Sequence, residues 1–520
     1  MRFYDYFRKG LLRNPDRPIL VDGDIVITHR DADHMSLRIA SALHRSGISV
    51  GMKAALLSPN HALAFACVLG ITRAGVLWSP SNVRNAPELN IAYYKFLEPD
   101  CLFYHSSLES VVSDMLAALP TVKLAVCIDA KSESGVSLES FMDRSDGVVP
   151  DVPDDPDRIV SLFPTGGTTG IPKGVLHSQK VWDYAVSAFW TTMGIADQPI
   201  HLAAAPLSHA AGGLAMMMLP SGATNVVLRK AEPLAILEAI EQYRVTHLYL
   251  PPTLLYMLLA HEDVRKFDYS SLTHFTLAAA PVAPEKLREA LDVFGPVMCQ
   301  SYGQTEVPQI ATFLSTRDLL EAQADKKSNS HGLFASCGKA TFGVRVEIMD
   351  DDGNILPAGD RGEIVMKGGL VFPGYYNNPK QNEETFRFGW HHSGDIGYMD
   401  ERGYFYVVDR KKDMIISGGF NVYSAEVEAV ILSHAAVRDC AVIGVPDPKW
   451  GEAIKAVIEL KPQQTVTADV IKQMVKAKLG GVHTPKTVDF WSELPRHPNG
   501  KVLKREIRDR FWKDKERLVG

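Results

Sequence analysis

Phe163-Pro164-Thr165-Gly166-Gly167-Thr168-Thr169-Gly170-Ile171-Pro172-Lys173-Gly174-Val175 decides how the rest of this chain is read. The run Ile159 to Phe163 that leads into it is apolar, the pattern of a short buried strand. The ten residues Thr165 to Gly174 then hold four glycines, three threonines and one lysine. Glycine lets backbone N–H groups turn toward an anion with no Cβ in the way. Threonine hydroxyls add donors, and Lys173 adds a mobile positive charge. Such a loop suits a polyphosphate; a glycine-rich surface turn is the plainer alternative. It is not a Walker A loop, because Pro172 precedes Lys173 and Gly174 follows it where Ser or Thr should stand.

Further motifs follow in a fixed order. They are Pro206-Leu207-Ser208-His209-Ala210-Ala211-Gly212, Ala278-Ala279-Ala280-Pro281 and Gln300-Ser301-Tyr302-Gly303-Gln304-Thr305-Glu306. Arg361-Gly362-Glu363, Gly374-Tyr375-Tyr376, Ser393-Gly394-Asp395 and Asp409-Arg410-Lys411-Lys412-Asp413 come next. Ser417-Gly418-Gly419-Phe420-Asn421-Val422 and Pro498-Asn499-Gly500-Lys501-Val502 close the set. Together they resemble the adenylate-forming superfamily of acyl-CoA synthetases, aryl-CoA ligases, luciferases and peptide-synthetase adenylation domains. Among these the chain looks most like bacterial fatty-acyl-CoA synthetases. It departs from the pattern at three places: Gly166 where Ser is common, an alanine-rich turn at Ala278–Ala280 where Gly is frequent, and Ser424 where Pro is usual.

The 520 residues exceed what one hydrophobic core serves, so at least two domains are expected. The apolar fraction of 46% and charged fraction of 22% are those of a globular protein. A net charge of −6 provides no basic field for nucleic acid or an anionic membrane. The six cysteines show no metal-type spacing and read as reduced, largely buried thiols. Met1 to Pro15 lacks an apolar core of about 7–15 residues, so no secretory signal is expected. No run of about eighteen apolar residues occurs, so no membrane span is expected, and a cytoplasmic location is the default.

Short apolar runs alternate with helical patterns through the first 300 or so residues. Lys53 to Leu57, Leu124 to Ile128, Asn225 to Leu228 and His247 to Leu250 read as strands; Ala62 to Ala74 and Leu234 to Tyr243 read as helices. The alternation predicts α/β layers with mostly parallel sheets. The Pro/Asp-rich stretch 149–156 reads as a loop. Between Arg345 and Val408, Asp-Gly and Arg-Gly turns separate short strands, a small β-rich subdomain. A helix at Glu426–Ile431, strands at Cys440–Val445 and Ala456–Leu460, and a helix near Asp469–Leu479 form a last compact α+β domain. The resemblance implies a boundary at 410/411: residues 1–410 hold ATP and the acid, and 411–520 swing as a mobile lid about Lys412.

The resemblance also assigns roles. It places Thr165, Gly166, Gly167, Thr168, Thr169, Gly170 and Lys173 around the phosphates, and Ala279 and Ala280 beside the adenine. Ser301, Tyr302, Gly303 and Gln304 line the nucleotide and acyl pocket, Thr305 contacts phosphate, and Glu306 is the carboxylate for Mg²⁺. Asp395 and Arg410 take the ribose. His209 flanks the substrate carboxylate; positioning outweighs general-base work there, since a carboxylic acid is already ionised at pH 7. Gly418 and Gly419 keep a pantetheine path open. Lys501 stabilises charge on the α-phosphate during adenylation. At about 4 Å and an effective dielectric near 20 that interaction is on the order of 4 kcal/mol, roughly a thousandfold in rate. Read alone, Lys501 and the following Lys504, Arg505 and Arg508 are an ordinary basic tail.

The chain ends nineteen residues after Lys501 without a carrier domain, which favours a free thiol acceptor, coenzyme A. Relatives that activate amino acids carry an Asp just after the substrate-side motif; here Ala210-Ala211-Gly212-Gly213 follows His209. The segments 210–218, 277–280 and 301–309 contain Glu306 as their one charge, so a neutral apolar monocarboxylate, fatty or aromatic, is expected. The resemblance is compatible with a homodimer. The alternatives are an acyl-AMP ligase serving a separate carrier protein, a luciferase-like oxidase, and a non-catalytic acyl or nucleotide sensor.

Overall fold

The computed structural model describes residues 1–165, 173–194, 197–324, 331–496 and 502–512. The chain divides into two compact units, Met1–Val346 with Met366–His391, and Glu347–Val365 with His392–Gly520.

The first unit is α/β, built on two sheets. The seven-stranded sheet runs, in spatial order, Val136–Ser137, Leu124–Cys127, Cys101–Tyr104, Lys53–Leu57, Leu77–Ser81, Ile159–Thr165 and Lys173–Ser178. All its neighbours pair parallel except the last two strands, which form an antiparallel hairpin across the phosphate-type loop. The central strands are buried on both faces, which is why Cys101–Tyr104 reads as a continuous apolar run. The nine-stranded sheet holds six parallel strands, Met298–Tyr302, His274–Leu277, His247–Leu250, Ile200–Ala203, Thr224–Val227 and Pro18–Asp22. Antiparallel strands close both of its edges. The helix Ala62–Arg73 is apolar around its whole circumference and packs against strands of both sheets.

The second unit carries a four-stranded sheet ordered Val344–Met349, Gly362–Gly368, His391–Met399 and Phe405–Arg410, some strand ends of which fall to the first unit. It also carries a five-stranded sheet centred on the antiparallel pair Val437–Asp447 and Gly451–Leu460. Alternation along that pair buries both faces. Val442, Ile454, Ala456 and Ile458 meet the helices Ser424–Leu432 and Ala468–Leu479 on one face. Ala441, Ile443 and Val457 meet Leu494 and Ile507 on the other. Position 410/411 falls inside this unit, between the strand Phe405–Arg410 and the 3₁₀ turn Lys411–Asp413.

Five of the six cysteines are buried and Cys337 is half-buried. Among the described residues no helix is long and apolar enough to cross a membrane.

Candidate active site

In the first unit, the hairpin register pairs Thr165 with Lys173 and Pro164 with Gly174, so both stems of the phosphate-type loop are placed. Gly166, Gly167, Thr168, Thr169 and Gly170 lie outside the described residues. The segment Gly374–Tyr376 lies along the outgoing stem: Leu176 N donates to Gly374 O at 3.2 Å and Tyr376 N to Gly174 O at 2.8 Å. Lys173 Nζ donates to Gln381 Oε1 at 2.6 Å and sits 5.1 Å from the centre of the Tyr375 ring. The Tyr375 hydroxyl donates to Glu306 Oε1 at 2.7 Å. Burial, followed by the Glu306 charge, pushes the Tyr375 phenol far above its ordinary range, so it stays protonated and remains a donor. Lys173, Tyr375 and Glu306 thus form one linked cluster.

The backbone of the 300–306 motif is pinned from two sides. Phe372 N donates to Glu306 O at 2.9 Å. His177 Nε2 lies 2.7 Å from Thr305 O, and burial lowers this imidazole to about 4. The neutral ring therefore donates its Nε2 proton to the carbonyl, leaving Nδ1 to face Ser161 Oγ at 3.4 Å. Ser301 and Tyr302 end the strand Met298–Tyr302 and pair with Phe313 and Thr312. At Gly303 any Cβ would lie 2.7 Å from the Gln309 carbonyl carbon and 2.8 Å from Val307 O, so the tight turn needs glycine. Gln304 closes that turn, its N–H donating to Val307 O at 3.0 Å. Its side-chain oxygen is 3.4 Å from His391 Nε2.

His209 is exposed at the N-cap of the helix Ala210–Met217, with Nδ1 2.9 Å from Ser208 Oγ. Asn60 fastens the segment before it, accepting from Leu207 N at 2.8 Å and donating to Ala205 O at 3.0 Å. The small-residue wall beyond His209 is less open than its sequence suggests. Gln309 Nε2 donates to Ala210 O, and a Cβ on Gly213 would collide with the same amide. Ala279 and Ala280 are exposed after the strand His274–Leu277, and Ala279 adopts φ +73°. That left-handed conformation costs a non-glycine residue about 1–2 kcal/mol.

In the second unit, Asp395 and Arg410 face each other across antiparallel strands, with Arg410 Nε 2.8 Å from Asp395 Oδ1. Asp395 is buried and Arg410 half-exposed. Glu363 supports the turn before Asp395, accepting from Gly394 N at 3.0 Å. Burial alone would raise its pKa, but His392 and Lys411, each at 3.0 Å, pull it down to about 2. Lys412 sits in the 3₁₀ turn, and Arg508 Nη1 donates to its carbonyl at 3.2 Å. Gly418 and Gly419 both take left-handed φ, +59° and +82°. Their roles separate. A Cβ on Gly418 would lie 2.6 Å from Trp450, whereas one on Gly419 meets nothing within 4 Å. Lys449 and Lys486 flank the Trp450 ring at 4.8 and 5.4 Å from its centre. Lys501 lies outside the described residues.

Two sets of described candidates are brought together: Lys173 and Glu306, linked through Tyr375, in the first unit, and Asp395 with Arg410 in the second. Tyr375, His177, Gln381 and Glu363 are supporting residues that carry no role in the sequence reading; the motifs holding Tyr375 and Glu363 were their one visible signal. Lys504, in the basic tail after Lys501, is largely buried: its side chain is 20% exposed and ion-paired with Glu428 at 2.8 Å.

Residues 7–376 match the family described as AMP-binding enzyme, and residues 426–501 match the AMP-binding enzyme C-terminal domain. The chain is 34% identical to a medium/long-chain-fatty-acid–CoA ligase from Mycobacterium tuberculosis, over 98% of this chain and 90% of that protein. It is also 34% identical to a feruloyl-CoA synthase from an Amycolatopsis species, over 96% of each. Among solved structures, the amide bond synthetase McbA from Marinactinospora thermotolerans superimposes with a TM-score of 0.88 at 29% identity, covering 98% of this chain and 100% of that one. The ordered motifs, the two-sheet first unit and these whole-length likenesses agree: the chain belongs to the AMP-binding, adenylate-forming enzyme family.

Proposed function

We propose that this protein is an ATP-dependent carboxylic acid:CoA ligase acting on a neutral, largely apolar monocarboxylic acid. The observation that carries this reading is the Lys173–Tyr375–Glu306 cluster, which sets an ammonium and a carboxylate together at the stem of the glycine-rich loop. An ammonium and an aimed carboxylate are what a polyphosphate with its hard cation requires.

In the first half-reaction the substrate carboxylate attacks the α-phosphorus of ATP, forming an acyl-adenylate and releasing pyrophosphate. Lys173 and the loop hold the phosphates, and Lys501 stabilises the charge that builds on the α-phosphate. Glu306 suits Mg²⁺, which takes one or two carboxylates together with phosphate oxygens; Tyr375 fixes its orientation. When bound, the ion neutralises charge on the phosphates. Asp395 and Arg410 are assigned to the ribose. In the second half-reaction the CoA thiol attacks the acyl carbon and AMP leaves. Gly419 lies on the thiol's path, and Trp450 with Lys449 and Lys486 offers an aromatic and cationic face to the nucleotide end of CoA. The functional boundary falls at 410/411 with Lys412 as pivot, and the cytosol is the proposed site of action.

ATP–pyrophosphate exchange across a panel of acids, followed by thioester detection by mass spectrometry, tests the whole reading. Exchange without thioester in the presence of CoA would move the protein to a different acceptor. The 29% likeness to an amide bond synthetase makes an amine the acceptor to try next.

A further inference from the structure

The chain on both sides of residues 497–501 is anchored by largely buried ion pairs. Upstream, Arg496 forms a bridge with Val502, and Leu503 N donates to Pro495 O at 2.8 Å. The Arg496 guanidinium pairs with Asp439 at 2.6 Å and with the fully buried Glu459 at 3.0 Å. Downstream, Lys504 Nζ lies 2.8 Å from Glu428 Oε1 and donates to Ser424 Oγ at 2.8 Å. The Ser424 hydroxyl donates in turn to Asp409 Oδ2 at 2.8 Å. That carboxylate also accepts from Ala425 N at 3.2 Å and from Arg410 N at 2.7 Å. On the same short helix as Lys504, Arg508 holds the Lys412 carbonyl and lies 3.4 Å from Asp413 Oδ1.

Two features show that this network is built rather than incidental. Tyr423, at the N-cap of the helix Ser424–Leu432, supplies no capping side chain, so Asp409 reaches from the neighbouring strand to satisfy the first turn. Lys504 meanwhile neutralises a region holding two carboxylates, Asp409 and Glu428; removing it would leave uncompensated charge. The relay passes through the Ser424 hydroxyl. Proline has no hydroxyl and could not bridge Lys504 to Asp409.

We propose that Ser424 and Lys504 are positioning residues that tie the chain leaving Lys501 to the segment bearing Arg410 and Lys412, and so govern adenylation. Adenylation is the half-reaction that needs Lys501 and Arg410 on one nucleotide, whereas transfer to the thiol does not. The proposal rests on the assignment of Lys501 above.

The test separates the half-reactions in the full-length protein. One arm measures ATP–pyrophosphate exchange, the other thioester formation from supplied acyl-adenylate and CoA. Ser424→Ala and Ser424→Pro should each slow exchange about tenfold, the loss of a charge-assisted hydrogen bond, and leave thioester formation within about twofold. Proline is tolerated at the first helical position, and Tyr423 already holds the extended conformation (φ −88°, ψ 116°) a pre-proline residue needs, so that variant should fold. Lys504→Met should lose stability as well as exchange. Adding Glu428→Gln should return the melting temperature but not the exchange rate, which a merely structural role would restore. Unchanged exchange in both Ser424 variants, or equal loss in both half-reactions, overturns the proposal. Lys501→Ala is the reference: if it spares exchange, the assignment of Lys501 fails and the proposal with it. If it abolishes exchange while the Ser424 variants behave as wild type, the network alone is refuted.

Discussion

Tyr375 shows what a single side chain contributes. Its hydroxyl donates to the Glu306 carboxylate across 69 residues of sequence. Tyr375→Phe keeps the ring beside Lys173 and removes that donor, together with the hydroxyl's hydrogen bond from Thr385. Adenylation should fall about tenfold, the cost of a hydrogen bond to a charged group, with the melting temperature little changed. Pyrophosphate exchange measured against Mg²⁺ concentration would show the loss as a curve shifted to higher Mg²⁺; an unshifted curve would mean Tyr375 does not orient Glu306. Glu428 offers a stability counterpart. Burial, only partly offset by Lys504, pushes its carboxyl up to about 7. A raised folded-state pKa adds stability that is complete below the ordinary carboxylate value near 4.5 and lost as pH rises through about 7. Between pH 5 and pH 8 the wild type should therefore lose more thermal stability than Glu428→Gln, and parallel melting curves would rule this out. The charged motif residues could be singled out from sequence because phosphate chemistry demands particular residue types at particular spacings. The sequence did not reveal Tyr375, His177, Glu363 or Glu428 in their roles, because those roles depend on which distant backbone each side chain comes to face.

Strands and helices were more legible than their pairings. Lys53–Leu57 and His247–Leu250 end where their apolar runs end, and the helix starting at Ala62 stops at Arg73, one residue before its expected end. Parallel layers followed from strand–helix alternation, but the antiparallel edges of the nine-stranded sheet did not, since edge pairing leaves no periodic mark. The Ser417–Val422 turn shows the limit most clearly. Two adjacent glycines read as one open passage, yet one of them is filled by Trp450. Any side chain at Gly418 meets that ring and a left-handed backbone at once, so Gly418→Ala should destabilise the second unit by about 1–2 kcal/mol or more. Gly419→Asn is the cleaner functional probe, because asparagine tolerates the left-handed region while adding bulk to open space. It should spare pyrophosphate exchange and slow CoA transfer several-fold. Lys412→Pro should act in the same direction by fixing the dihedrals of the proposed pivot. Normal thioester formation in both would show that this turn does not border the thiol's path.

For the molecule as a whole, the acid it selects follows from charge rather than from volume. The chain carries a net charge of −6, so no general field draws anions inward, and each anion site needs its own local cations. Lys173 and Arg410 are the cations proposed for the phosphates and the ribose, and neither belongs to the acid-side segments. Those segments, 210–218, 277–280 and 301–309, hold Glu306 as their one charge, and its carboxylate is engaged by Tyr375. Among the described residues, the neutral amide of Gln309 enters the small-residue wall, bonded to Ala210 O against Gly213. An α-ammonium or a second carboxylate on the substrate would therefore be buried without a counter-ion, at a cost of several kcal/mol even after relaxation. A penalty of about 3 kcal/mol already gives discrimination beyond a hundredfold. Neutral aliphatic or aromatic monocarboxylates should exceed matched amino acids and dicarboxylates by at least that ratio in kcat/KM. Gln309→Ala should widen acceptance toward bulkier neutral acids while leaving the rejection of charged ones intact, because it frees volume without adding charge. An enzyme that preferred an amino acid or a dicarboxylate, or a Gln309→Ala variant that admitted them, would place a counter-ion in the pocket that these segments do not supply.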